Sequence, residues 1–297
     1  MRALKTFVAA TVILLSSAII SPAQDQKPAN LAAAPPSIVL LVHQSVYSGK
    51  SMEREKRETI LARASDRMET PKYWIDLESV TGQPESLVFS PLDSYEELGQ
   101  SNIDWSRFLA AHPDLAHLRD EIEGMIGSQR EVVAVRRDDL GYLAESIDLS
   151  EARFMNVLEV HLFPGHEDDF AEAFKTLADA YTKIHADVPW VVYQVDVGGP
   201  APTFLVFRPL SEIKQNDDLL SWSDMLTEAE GEQGVESLKK IARQAYVSTE
   251  SNLYVVRPEM SHVSKSFAAT DPDFWLHRAA PEVKSEAKQD PKASVTH

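Results

Sequence analysis

The stretch LVFSPL at residues 87–92 returns as LVFRPL at residues 205–210, with five of six residues identical at an offset of 118. Weaker matches lie close to the same register: Val42-His43 against Val160-His161, and residues 137–142 against 257–262 at an offset of 120. Several matches near one offset indicate an internal duplication. Each copy therefore gives a separate prediction of the same fold.

The second copy has the clearer pattern. Residues 154–163 predict a strand, which Pro164-Gly165 ends, and acidic residues then open a helix. Apolar residues recur on one face of that helix at steps of three and four: Phe170, Phe174, Leu177, Tyr181 and Ile184. Residues 190–197 and 203–207 predict a hairpin, which a second helix and a last strand at 253–257 follow. The predicted order is strand, helix, strand, strand, helix, strand.

The first copy repeats this order with a more charged first helix. The predicted segments are strands at 38–44, 72–77, 87–89 and 131–136, a helix at 51–68 and helical structure at 105–125. Pro113 is expected to divide the last segment in two, because a proline inside a helix removes a hydrogen bond and clashes with the preceding turn.

This order in about 110 residues is the ferredoxin-like plan, an antiparallel four-stranded sheet with both helices on one face. The sequence predicts an α+β fold with two such βαββαβ repeats, at residues 37–145 and 150–262. One face of each sheet is left bare, so we expect the two repeats to close on each other as an intramolecular pseudo-dimeric barrel.

The N-terminus predicts export. Arg2 and Lys5 precede an apolar run at residues 7–20, and Ser21-Pro22-Ala23 offers a small-residue cleavage site, so residues 1–23 are interpreted as a signal peptide. A membrane anchor is the alternative, but the run is shorter than the roughly 20 residues that a spanning helix needs. We expect a periplasmic or extracellular bacterial protein with no stable membrane anchor after cleavage.

The remaining end segments differ in composition. Residues 24–36 and 279–297 are polar or rich in Ala and Pro, which predicts a flexible leader and a disordered tail. Residues 263–278 carry Phe274 and Trp275, which either pack back on the barrel or form a partner surface. Packing is the preferred interpretation because it buries a few hundred Å² of apolar area, on the order of several kcal/mol.

Charge and cysteine content exclude several classes of function. The formal net charge is −17, which disfavours partners with phosphate backbones or anionic lipid surfaces, so no nucleic-acid role is expected. The chain has no cysteine, which removes disulfides, catalytic thiols and thiolate metal sites. Serine nucleophile elbows, phosphate-binding glycine loops and dinucleotide fingerprints are also absent from the sequence.

A family resemblance begins at residues 160–165 (VHLFPG). These residues lead into a helix with Phe170 and Phe174, and a strand that ends at Phe207 follows. They resemble the dimeric α/β barrel superfamily, which includes NIPSNAP-like and antibiotic-biosynthesis-monooxygenase-like domains. The resemblance covers residues 154–260 better than residues 37–142. It implies a barrel interior that binds small, mostly aromatic molecules or haem, and a cofactor-independent oxygenation, isomerisation or cyclisation as candidate reactions.

Alternation along the strands assigns side chains to faces. Val39, Leu41 and His43 share one face of the first strand, and the offset of 118 places Val157, Glu159 and His161 on the matching face. This face is expected to point into the barrel. His161 with Glu159 then forms a candidate acid–base pair, and His43 is a third candidate catalytic residue. Structural roles for all three remain open.

Tyr73, Trp74, Trp190 and Tyr193 are candidate ligand-lining residues on the second strands, with core packing as the alternative. No metal site and no cofactor are predicted, although haem and a metal ion stay open. Two functions follow as hypotheses: binding of a small hydrophobic molecule inside the barrel, with or without its chemical transformation, or a non-catalytic interaction module of the cell envelope. The sequence leaves open whether the protein is an enzyme.

Overall fold

The computed structural model describes residues 33–68, 70 and 72–276, without the side chains of residues 218–222. The predicted signal peptide, most of the leader and the tail at 279–297 lie outside the described residues. Residues 33–36 belong to the predicted leader, yet they contact the barrel: the carbonyl of Ala33 accepts from the amide of Leu149, and that of Pro36 accepts from the Tyr193 hydroxyl.

The first repeat contains four strands and three helices, close to the sequence prediction. They are β1 (Ile38–Val46), α1 (Ser51–Met68), β2 (Ile75–Ser79), β3 (Glu85–Leu92), α2 (Tyr95–Ala111), α3 (Pro113–Glu123) and β4 (Ile126–Arg136). Pro113 divides the second helical segment as expected, since it occupies the first turn of α3, where a missing N–H costs nothing.

The second repeat has the same order. Its elements are β5 (Phe154–Leu162), α4 (Glu167–Lys183), β6 (Val191–Val197), β7 (Thr203–Leu210), α5 (Trp222–Ala245) and β8 (Tyr246–Val256). Two four-residue helices follow, α6 (Lys265–Ala268) and α7 (Pro272–Trp275). Within the described residues, no helix is both long and apolar enough to span a bilayer.

Strand pairing confirms the predicted fold class. Each repeat has the ferredoxin-like order, β4-β1-β3-β2 in the first and β8-β5-β7-β6 in the second. The two sheets join edge to edge, β2 with β8 and β4 with β6, all antiparallel, and form a closed eight-stranded barrel. Closure leaves no unpaired sheet edge, which is a physical advantage of having two copies in one chain.

The pairing registers correct the alignment of the two repeats. His43 pairs with Leu87 on β3, whereas Glu159 pairs with Leu205, the counterpart of Leu87. His43 therefore corresponds to Glu159, and the offset for β1 is 116 rather than 118. The two histidines do not occupy equivalent positions, but the error is an even number of residues, so the assignment of faces is unchanged.

The offset changes along the chain because the second copy carries small insertions. Ile75 pairs with Phe89 on β3 and Val191 pairs with Phe207, so β2 and β6 also align at 116 while β3 and β7 align at 118. The β6–β7 hairpin is two residues longer. Helix α1 begins at Ser51 and α4 at Glu167, which again gives 116.

The segments after β4 and β8 cross between repeats. Tyr142 bridges to Trp190 of the second repeat, and His262 bridges to Trp74 of the first. The indole N–H of Trp190 donates to the carbonyl of Leu140, and that of Trp74 donates to the carbonyl of Met260. These equivalent contacts confirm the resemblance between residues 137–142 and 257–262.

Apolar side chains fill the middle of the barrel. Val39, Leu41 and Val157 belong to this core, as their predicted face requires, and Phe207 packs edge to face against Phe89 and Tyr193. Trp275 is fully buried in the same core, and its indole N–H donates to the carbonyl of Ser150 at 2.9 Å. The C-terminal segment therefore closes one end of the barrel.

Candidate functional site

The candidate site is a cavity of about 350 Å³ in the first repeat, on the outer face of the sheet beneath the helices. Residues of β1, β2, β3 and β4 line it from the sheet, and residues of α1, α2 and α3 line it from the helices. The lining residues that the chemistry uses are Glu58, Lys72, Trp74, Asp76, Trp105 and Arg119. A volume of this size lies at the lower end of the range for small-molecule sites.

A buried polar cluster forms the inner end of the cavity. The guanidinium of Arg54 lies 3.2 Å from the Asp76 carboxylate, and both side chains are 1% exposed. The hydroxyl of Ser86 donates to the other Asp76 oxygen at 3.0 Å. Glu58 lies one turn after Arg54 on α1, with 3.8 Å between its carboxylate and the Arg54 Nε. One guanidinium therefore faces two carboxylates.

The pKa values of the two carboxyl groups, Glu58 and Asp76, are both raised but to different values. Burial raises the pKa of Glu58 to about 7, against the opposing effect of Arg54. Burial also raises the pKa of Asp76 to about 6, while Arg54 and the Ser86 hydrogen bond oppose the shift. Near neutral pH, Glu58 is the group that exchanges a proton, and Asp76 is the ionised partner of Arg54. A carboxyl group with such a pKa in a cleft is typical of acid–base sites.

Two aromatic side chains give the cavity an apolar side. The rings of Trp74 and Trp105 meet edge to face with 6.4 Å between their centroids, and Trp105 stacks on Phe108. Leu61 and Ile122 add aliphatic surface from α1 and α3. The arrangement can hold a small apolar body next to a proton donor.

The same positions in the second repeat are packed with apolar side chains. At the offset of 116, Arg54 and Glu58 correspond to Phe170 and Phe174, and Asp76 corresponds to Val192. Ser86 corresponds to Phe204 at 118. Phe170 stacks on Phe174 at 4.3 Å and on Phe204 at 4.1 Å, and all of these residues are buried. The polar cluster therefore replaces an aromatic core.

The structure places the candidate catalytic residues of the sequence analysis at the polar end of the barrel. His43 and Glu159 line one small interior pocket, which has no room for a water molecule. Glu159 pairs with Arg130 at 3.2 Å, and the His43 Nδ1 lies 3.7 Å from the Glu85 carboxylate. His161 contacts the Thr203 hydroxyl at 2.5 Å. The contacts of His161 and Glu159 are thus with other side chains.

The four candidate ligand-lining aromatics lie in different places. Trp74 lines the first-repeat cavity, whereas Trp190 is buried beneath the helices of the second repeat. Tyr193 is fully buried in the barrel core. Tyr73 is half-buried and its ring lies 5.1 Å from that of His262. Of these four, Trp74 faces a cavity large enough for a ligand.

The donor set of the cavity does not fit haem. Haem iron in proteins is held by His, Cys, Met or Tyr, and the residues lining the cavity include none of these. His43 lines an interior pocket without space for a macrocycle, and His161 contacts Thr203, which lines the same pocket. Among the described residues, no group of three or more His, Asp and Glu side chains is arranged to hold a metal ion.

The sequence analysis missed Arg54, Glu58, Lys72, Asp76 and Trp105. The offset of 118 does not bring the first helices of the two repeats into register, so the greater charge of residues 51–68 is not visible as a difference at matched positions. An alignment at 116 would have set Arg54 and Glu58 against Phe170 and Phe174. Charges at positions that are aromatic in the partner copy are the signal that could have found the site.

Comparisons with known proteins show similarity in architecture alone. No protein-family model and no curated protein sequence matches the chain. A protein from Fusobacterium nucleatum, provisionally described as a monooxygenase, gives a TM-score of 0.48 at 12% identity, over 74% of this chain and 91% of that one. An anthrone oxidase-like protein gives 0.47 at 12% identity, over 76% and 94%. A chlorite dismutase variant from Candidatus Nitrospira defluvii gives 0.43 at 7% identity, over 76% and 94%.

The strand order defines the structural class. Two ferredoxin-like units with the order 4-1-3-2, joined edge to edge into an eight-stranded antiparallel barrel, make this a dimeric α+β barrel protein with both units in one chain. This class hosts different chemistries on one scaffold, so function has to be argued from the first-repeat cavity.

Proposed function

We propose that this protein binds a small, partly apolar molecule in the first-repeat cavity and that Glu58 exchanges a proton with it. The observation that carries the proposal is the Glu58 carboxyl group, which lines a cavity of about 350 Å³ and whose pKa burial raises to about 7. A group with this pKa is available as both acid and base at neutral pH.

The surrounding residues suit Glu58 to this role. Arg54 and Asp76 form a buried ion pair behind it, which holds the guanidinium in place and leaves the Glu58 carboxyl group with the weaker, longer contact of 3.8 Å. Trp74 and Trp105 can pack against the apolar part of a ligand and exclude water from the proton transfer. Isomerisation by proton transfer is a reaction in which such a group can act as the acid or the base.

The proposal places the ligand outside the barrel rather than inside it. The barrel core is filled by side chains, and two interior pockets hold about 10 Å³ and no measurable volume. A filled interior is compatible with the alternative hypothesis, a non-catalytic interaction module, but not with a ligand inside the barrel. The cavity in the first repeat favours small-molecule binding instead. An interaction module without a ligand would be more stable with an apolar core at that place.

A blocking substitution tests the site. Ser106 lies on α2, lines the cavity and is exposed, so Ser106→Trp should narrow the cavity without disturbing the core. The matched control is Ser237→Trp, on the exposed face of α5. We expect small aromatic compounds to shift the NMR signals of wild-type cavity residues and of the Ser237 variant, but not those of the Ser106 variant. Equal binding by both variants would rule out this cavity.

We also propose that the protein is exported, on the strength of residues 1–23. Expression of the full chain in a Gram-negative host should give a periplasmic product that begins near Gln24. Mass spectrometry of the mature N-terminus measures this. An uncleaved cytoplasmic product would remove the proposal.

A further inference from the structure

We infer that the ligand of the first-repeat cavity carries a carboxylate, and that the ammonium group of Lys72 binds it. This inference rests on the proposed function and names the chemical class of the ligand. Its basis is that Lys72 lines the cavity, is half-buried and has no hydrogen-bond or ion-pair partner among the described residues.

The other basic side chains of the site are already paired. Arg54 contacts Asp76 at 3.2 Å, and Arg119 forms an ion pair with Glu123 one turn along α3. Lys72 differs from them: across the part of the chain that the structure describes, no hydrogen bond or ion pair involves its ammonium group. A half-buried charge without a counterion has lost part of its hydration, so an anion from outside the protein would be favoured there.

The carboxylate that acts most strongly on the pKa of Lys72 does not fill this role. Glu131 lines the cavity, but its carboxylate accepts a hydrogen bond from Gln129 at 2.7 Å and lies beyond ion-pair distance from Lys72. Burial lowers the pKa of Lys72, and Glu131 offsets only part of this effect. A ligand carboxylate in contact with Lys72 would remove the imbalance.

The second repeat shows that a lysine is not needed here for folding. At the offset of 116, Lys72 corresponds to Val188, which is 4% exposed and part of the apolar core. A charged residue at a position that packs well with valine has a stability cost, which is understandable when the residue has a binding role.

The remaining walls define the rest of the ligand. Trp74, Trp105, Leu61 and Ile122 contribute apolar groups to the cavity that Lys72 lines. Glu58, protonated up to about pH 7, can donate a hydrogen bond without repelling an anion. The class of ligand that meets these conditions is a small aromatic or alicyclic carboxylic acid.

Matched acids and amides test the inference. Full-length mature protein is titrated with benzoate and benzamide, and with cyclohexanecarboxylate and its amide, and the signals of cavity residues are followed by NMR. The variants are Lys72→Met and, as a control that removes the same charge from an exposed site on α1, Lys56→Met. We expect wild type and the Lys56 variant to prefer each acid over its amide by about tenfold or more. The Lys72 variant should show no preference.

The possible outcomes separate the two proposals. If wild type binds acids and amides equally, or the Lys72 variant keeps the preference, the carboxylate inference is wrong while the cavity remains a binding site. If neither acids nor amides perturb cavity residues at millimolar concentration, both the inference and the proposed function are contradicted.

Discussion

The two repeats share a backbone plan but not an interior. In the second repeat, Phe170, Phe174 and Phe204 stack into one apolar core beneath the helices. In the first, Arg54, Glu58 and Ser86 take those positions and a cavity of about 350 Å³ remains. The difference shows that one copy can supply stability while the other gives up packing for a polar site, since closure of the barrel holds both together.

The largest effect is expected from moving the charge of the first repeat into the second. Phe170→Arg places a guanidinium in an apolar core in which Val192 stands where Asp76 would be needed. The cost should be at least about 5 kcal/mol, comparable to the whole stability of a domain. Circular dichroism and urea unfolding measure this. A folded, cooperative Phe170→Arg protein would mean that the second core is far more tolerant than its packing indicates.

Breaking the buried ion pair of the first repeat should have the next largest effect. Arg54→Met leaves the Asp76 carboxylate buried without its positive partner, which should cost about 3–5 kcal/mol at pH 8. Adding Asp76→Val should recover much of that loss, because valine is the residue that the second repeat uses. The control is Arg107→Met, which removes an exposed ion pair with Asp104 and should cost less than about 1 kcal/mol.

A smaller, pH-dependent effect is expected at Glu58. Its pKa is raised from 4.5 to about 7, so the folded protein holds a proton that the unfolded chain releases. The resulting stability is present below about pH 4.5 and is lost as the pH rises through about 7. Between pH 5 and pH 8, wild type should therefore lose about 2–3 kcal/mol more than Glu58→Gln.

Urea unfolding at several pH values measures this difference. The control is Glu172→Gln, an exposed position on α4 of the second repeat, which should follow the wild-type profile. Parallel pH profiles for wild type and Glu58→Gln would show that Glu58 titrates normally and would weaken the acid–base role.

The smallest effect is expected at Lys72. Because Lys72 forms no hydrogen bond or ion pair with any described residue, Lys72→Val should change the free energy of unfolding by less than about 1 kcal/mol, with a gain as the expected sign. Thermal and urea unfolding measure it. A loss of several kcal/mol would mean that Lys72 is a structural residue. The difference between the two repeats at this position would then no longer count as a sign of ligand binding.

Much of the fold was predictable from local patterns. The stripe from Phe170 to Tyr181 and the prolines at 113 and 164 mark elements whose periods and breaks are set by nearby residues. Strands β4 and β8 were predicted too short, because each is 11 residues long and its first half is polar. Those halves pair with β1 and β5 near the polar end of the barrel, where the apolar alternation of a buried strand is absent.

The candidate site was less predictable. The pair His161 and Glu159 was chosen because strand neighbours two residues apart share a face, and that face does point into the barrel. Whether space remains beside them depends on side chains from the seven other strands and the C-terminal segment. Trp275 shows this dependence: it is distant in sequence from β1 and β5, yet it is fully buried in the same core.

The sequence by itself determined the duplication, the order of elements and the alternation of faces, because these depend on residues close together along the chain. Only the tertiary structure decided the true register between the copies and the place of the cavity. A shift of two residues keeps every side chain on its face of the sheet but changes the residues that it pairs with. LVFSPL and LVFRPL therefore align only the third strands of the two repeats. Arg54, Glu58 and Asp76 meet only when the first helix packs on the sheet.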